Sequence, residues 1–126
     1  MVNYIAILVA AVAGFAFGAV WYMALAKPWM ATAGLTEQPK PAPFLIAFAA
    51  QLVMAWMLAG ALGHLGDVSV VAGLITAALI WVGFVATTMI VNHRFQGAKW
   101  SLTFIDGGHW LGVLLVMGVV LGLFGE

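Results

Sequence analysis

Residues 100–124 read WSLTFIDGGHWLGVLLVMGVVLGLF, a stretch whose single charged residue is Asp106. A run this long and apolar covers the roughly 20 residues a helix needs to cross the hydrocarbon core of a bilayer. Three more such runs fit upstream, at about residues 2–26, 43–63 and 68–91. The 126 residues are 66% hydrophobic and 6% charged, against roughly half and a quarter in soluble domains. A chain this small has no room to hide that much apolar surface from water, so lipid must cover it. The strands of a membrane barrel alternate polar and apolar residues, which these runs do not. The fold class is therefore all-α, a single transmembrane domain over residues 1–126 built as a bundle of four helices. Short connections make consecutive helices antiparallel neighbours.

The largest polar interruption is residues 27–42, where Gly34, Glu37, Gln38, Pro39, Lys40 and Pro41 forbid a continuous helix. An irregular loop containing Pro39, Pro41 and Pro43 is expected there, with a start at Lys27-Pro28-Trp29-Met30 that lies at the membrane interface. The other connections, residues 64–67 and 92–99, are short. All four basic residues, Lys27, Lys40, Arg94 and Lys99, fall in the first and third connections. The positive-inside rule then places both termini outside the cytoplasm. Trp21, Tyr22, Trp29 and Trp100 gather near the same boundary and read as aromatic anchors. The first basic residue follows the first span, unlike the positively charged start of a secretory signal, so that span is expected to be retained. A net charge of zero leaves no basic field for nucleic acid, and the lack of cysteine removes disulfides and thiolate chemistry.

Small residues recur four apart along every span: Ala6, Ala10, Gly14 and Gly18; Ala55, Ala59 and Gly63; Gly73 and Ala77; Gly108 with Gly112; Gly118 with Gly122. Lipid gives apolar helices no hydrophobic reason to associate, so close backbone approach over such residues has to supply the contact. Gly14, Gly18, Gly108, Gly112, Gly118 and Gly122 are the expected packing positions, within one chain or between copies of it.

The informative residues are those that are costly inside a bilayer. Asp106 sits roughly 8 Å of helix rise into its span and His109 follows one turn later on the same face. Tyr22, Thr87, Thr88 and Asn92 belong to the same half of the membrane, and Gln51 falls nearer its middle. If these converge they form one polar pocket, and an intramembrane ionisable residue is by default a functional candidate. The structural alternative is that Asp106 simply favours the positive end of its helix dipole or bonds to Asn92, Tyr22 or Arg94. His64 and His93 fall in loops on opposite faces, so no metal triad forms and no metal or cofactor is expected. Phosphate loops, zinc-protease motifs and paired carboxylates are missing, and Ser69 and Ser101, at span starts, read as helix caps.

The early Asn3, the Gly18-Ala-Val-Trp21-Tyr22 end of the first span, Lys27-Pro-Trp29-Met30, Trp81-Val-Gly-Phe-Val-Ala-Thr87-Thr88 and the late Asp106 together resemble a bacterial four-helix membrane family. That family is catalogued as a domain of unknown function, number seventeen sixty-one. The resemblance implies a protein of the bacterial cytoplasmic (inner) membrane and carries over no site residues. Beyond the lipid bilayer as its surroundings, three functional classes are open. The first is a small homo-oligomeric binding or transport protein using the Asp106 and His109 pocket. An accessory or assembly subunit of a larger membrane complex is the alternative, and an intramembrane enzyme is the third.

Overall fold

The chain breaks into helices where its capping chemistry allows. In the computed structural model, which describes residues 3–37 and 40–125, α1 (Tyr4–Ala24) is started by Asn3, whose Oδ1 accepts the Ala6 N–H at 3.0 Å. The helix gives way at Leu25 to the short α2 (Ala26–Ala33), which Gly34 ends in the left-handed conformation at φ 73°. α3 (Pro41–Leu65) opens with proline in its first turn and closes on Gly66 at φ 80°. Ser69 caps the next span, α4 (Val70–Phe95), through the Ala72 N–H at 3.1 Å. A tight turn through Gly97 at φ 71° leads to α5 (Trp100–Phe124). Four of these helices are long and apolar enough to cross a membrane, and no strand occurs among the described residues. The chain is an all-helical, multi-pass membrane protein.

The first connection is more ordered than the sequence suggests. Residues 26–33 are helical, with Pro28 tolerated in the first turn of α2, and Pro41 and Pro43 lie inside α3 rather than in a loop. Proline costs nothing in a first turn, where its missing N–H would have had no helical partner. Gln38 and Pro39 lie outside the described residues. Ser101 does not cap α5, because Lys99 occupies the cap position and the Ser101 hydroxyl bonds to Thr32 of α2.

α5 is the central helix, packed along α1 on one side and α4 on the other, while α3 lies mainly against α1. The α4–α5 crossing is as close as backbones permit: a Cβ on Gly73 or on Gly118 would run into the carbonyl of the other. Gly122 meets the Ser69–Val70 backbone in the same way, and Gly112 receives the ring of Phe17. At Gly14 an added Cβ would stand 3.0 Å from Met117 Cε and 3.0 Å from Gln51 Oε1. The apolar core runs from Ala6, Ala10 and Ala11 through Leu58 and Leu62 to Val113 and Met117.

α4 is not uniform. Residues Trp81–Ala86 form a π-helical turn between two α-helical parts, Val70–Ile80 and Thr87–Phe95. Such turns leave carbonyls imperfectly paired and recur at functional sites. Thr87 donates to Gly83 O at 2.9 Å and Thr88 to Phe84 O at 2.6 Å, so the loosened carbonyls are served from within the helix.

Candidate functional site

Asp106, Gly107, Gly108 and His109 occupy the second and third turns of α5, and each faces something different. The Tyr22 hydroxyl of α1 donates to Asp106 Oδ1 at 2.6 Å. The Tyr22 ring in turn lies 4.7 Å from the His109 ring and 5.0 Å from Trp29 of α2. Tyr22 thus stands between the carboxylate and the imidazole, which make no direct hydrogen bond with one another.

Two indoles hold this segment in place. Trp21 Nε1 donates to the Ile105 carbonyl at 3.0 Å from the α1 side, and Trp81 Nε1 donates to the Gly107 carbonyl at 2.9 Å from the π-helical turn of α4. Trp21 approaches this closely because Gly108 has no side chain; a Cβ there would be 2.8 Å from the ring. The glycine pair therefore admits a tryptophan from each side while Asp106 and His109 bracket it.

His109 is 5% exposed, its Nδ1 is enclosed without a partner, and its Nε2 fills the space left by Gly18. Gln51 of α3 is 2% exposed, with its amide oxygen unpaired against Gly14, one helical turn from Gly18. Tyr22, Gly18 and Gly14 repeat every four residues on α1. The polar groups Asp106, His109 and Gln51 thus follow one face of α1 toward the middle of the bundle.

The remaining sequence candidates stand apart. Thr87, Thr88 and Asn92 are exposed, with both threonine hydroxyls turned to carbonyls of their own helix. The physical reason is helical phase, since the π-helical turn that precedes them rotates their faces away from α5. His93 is not in a loop but in the last turn of α4, where its Nδ1 pairs with Thr103 Oγ1 at 2.7 Å. Arg94 donates to the same hydroxyl at 2.8 Å. Trp21, Tyr22 and Trp29, read from sequence as boundary anchors, are built into the site. Tyr22 is also a pocket candidate by its depth, and the sequence signal for Trp21 is Gly108, whose missing side chain leaves room for the ring. Among the described residues no group of three or more His, Cys, Asp or Glu side chains could hold a metal ion.

The family model described as "Protein of unknown function (DUF1761)" matches residues 5–122. The chain belongs to that family. No curated protein and no solved structure matches it. Membership is consistent with four apolar helices and assigns no activity.

Proposed function

We propose that this protein is a small membrane-embedded binding or transport protein, working as a homo-oligomer, in which a proton and a small cation compete for Asp106. The observation that carries the reading is the company Asp106 keeps. A carboxylate inside an apolar helix is costly unless paired, and here its hydrogen-bond partner is the neutral hydroxyl of Tyr22. Of the partners open to a purely structural carboxylate, Arg94 would have neutralised its charge, whereas Tyr22 satisfies one oxygen and leaves the charge in place. Bonded to a phenol, with the titratable His93 near enough to act on its charge, the carboxyl is left able to exchange its proton for a cation. The positive-inside rule, applied to Lys27, Lys40, Arg94 and Lys99, sets the end of the bundle nearest Asp106 in the cytoplasm, with both termini across a bacterial inner membrane.

The test is dye-monitored proton release from purified protein on addition of sodium, potassium or tetramethylammonium chloride. At least one cation should displace a proton from the wild type, and none from a folded Asp106→Asn variant. Equal release from both proteins, or none from the wild type, sinks the reading.

A second reading, an accessory subunit of a larger membrane complex, is favoured by α4. Only 6% of its most apolar stretch is fully buried, and its outer face, with Leu79, Val82 and Phe84, is left open. In that case Asp106 would be structural and the asparagine variant would function normally.

A further inference from the structure

The loop end of α4 and the start of α5 enclose a guanidinium whose partners are all neutral. Arg94 Nη2 donates to the Ala98 carbonyl at 3.0 Å and to Thr103 Oγ1 at 2.8 Å. The Arg94 group lies over the Trp100 ring at 3.6 Å. Nη1 is enclosed and meets no acceptor. A cationic donor withheld from water and left unpaired costs more than a neutral one and calls for an anion. The nearest candidate in sequence terms, Asp106, is already engaged by Tyr22.

On the membrane side of Trp100 and Thr103 a slot of about 220 Å³ runs between α4 and α5. Its walls include Trp81, Met89, Ile90, Trp100, Thr103 and Phe104. Trp100 and Thr103 belong to both features, so the slot begins at the side chains that hold the arginine, which does not itself line it. Gly107 and Ala86 make the room by lacking bulk. The slot continues from Thr103 to Leu111, about 12 Å of helix rise. Arg94 stands in the last turn of its span and Trp100 in the first residue of the next, the depth at which headgroups and tryptophans meet.

We infer that this is a binding site for one anionic phospholipid, its phosphodiester held by Arg94 and its acyl chain laid in the slot. A cationic fork at the headgroup level, joined through Trp100 and Thr103 to an apolar channel, is complementary to a charged amphiphile and to neither half of one alone. Trp100, about half exposed, forms the mouth, and its ring has to swing aside for the phosphate to reach Nη1. The site is separate from Asp106 and does not depend on the function proposed for that residue.

Native mass spectrometry of the detergent-solubilised protein tests it, with phosphatidylglycerol, phosphatidylcholine of the same chains, and inorganic phosphate as probes. Phosphatidylglycerol should bind roughly tenfold or more tighter than phosphatidylcholine, the scale of one charge-assisted contact. Arg94→Gln should erase that preference, and Ala86→Leu, which fills the slot and spares the arginine, should weaken both lipids. Equal binding of the two lipids overturns the inference, as does a preference that survives Arg94→Gln. Displacement of the lipid by phosphate alone would show an anion site with no acyl component. Should Arg94→Gln fail to fold, Ala86→Leu still decides, because unchanged lipid binding in that variant rules the slot out.

Discussion

α4 and α5 are both apolar enough to span a membrane, yet 44% of the core stretch of α5 is buried inside the molecule and 6% of that of α4. The difference lies in where side chains are missing and where polar groups point. α5 turns Gly108, Gly112, Gly118 and Gly122 to its neighbours, and each receives a ring or a backbone. α4 uses only Gly73 this way, at a single crossing, while Gly83 faces open space. Its Leu79, Val82 and Phe84 point outward. The polar residues divide less cleanly: Thr103, Asp106 and His109 of α5 reach other helices, as do Trp81, His93 and Arg94 of α4, whereas Thr87 and Thr88 of α4 serve their own backbone. Apolarity thus decides that a helix crosses, and the pattern of glycine and polar side chains decides how much of it is enclosed by its neighbours.

The sharpest way to break this contrast is at the crossing. Gly118→Val should destabilise the protein by about 3 kcal/mol or more, since the new side chain meets backbone that has no rotamer to yield. Phe84→Ala on the outer face of α4 should cost under about 0.5 kcal/mol in the same denaturant titration. Comparable losses in the two variants would mean that α4 is as internal as α5.

Gly18→Ala comes next. Its Cβ would press on His109 Nε2, the far end of a side chain that can turn. A loss of about 1–2 kcal/mol is expected, together with altered proton release as the imidazole is pushed against Tyr22. Tyr22→Phe should cost about 1 kcal/mol by leaving Asp106 without its donor, and thermal unfolding measures it. The smallest effect belongs to Thr87→Val and Thr88→Val. Each should change stability by less than about 1 kcal/mol and leave proton release unaltered, because neither side chain reaches α5. A large functional effect of either would return them to the site.

The spans are legible in the sequence because length and apolarity are local properties, and their ends differ by a few residues, at the proline start of α3 and most at the end of α4, which runs on to Phe95. Asp106 and His109 announce themselves as polar residues in an apolar run, and Tyr22 as a partner at the same depth. Thr87, Thr88 and Asn92 share that depth but not the face, because a π-helical turn changes the phase of everything after it and has no local signature here. The indole bonds of Trp21 and Trp81 to α5 carbonyls were hidden for a different reason. Tryptophan at a span end reads as an interfacial anchor, and its partners are backbone atoms with no sequence identity. The Arg94, Thr103 and Trp100 cluster exists only because the turn at Gly97 folds α5 back beside α4.

The central claim, that Asp106 is an exchangeable carboxyl and not a fixed structural one, is tested most directly by infrared difference spectroscopy of the purified protein across a pH titration. The account predicts a carboxyl band that appears and disappears with pH, is absent in Asp106→Asn, shifts in frequency in Tyr22→Phe, and titrates at lower pH when the competing cation is added. A difference spectrum identical in the wild type and Asp106→Asn would contradict it.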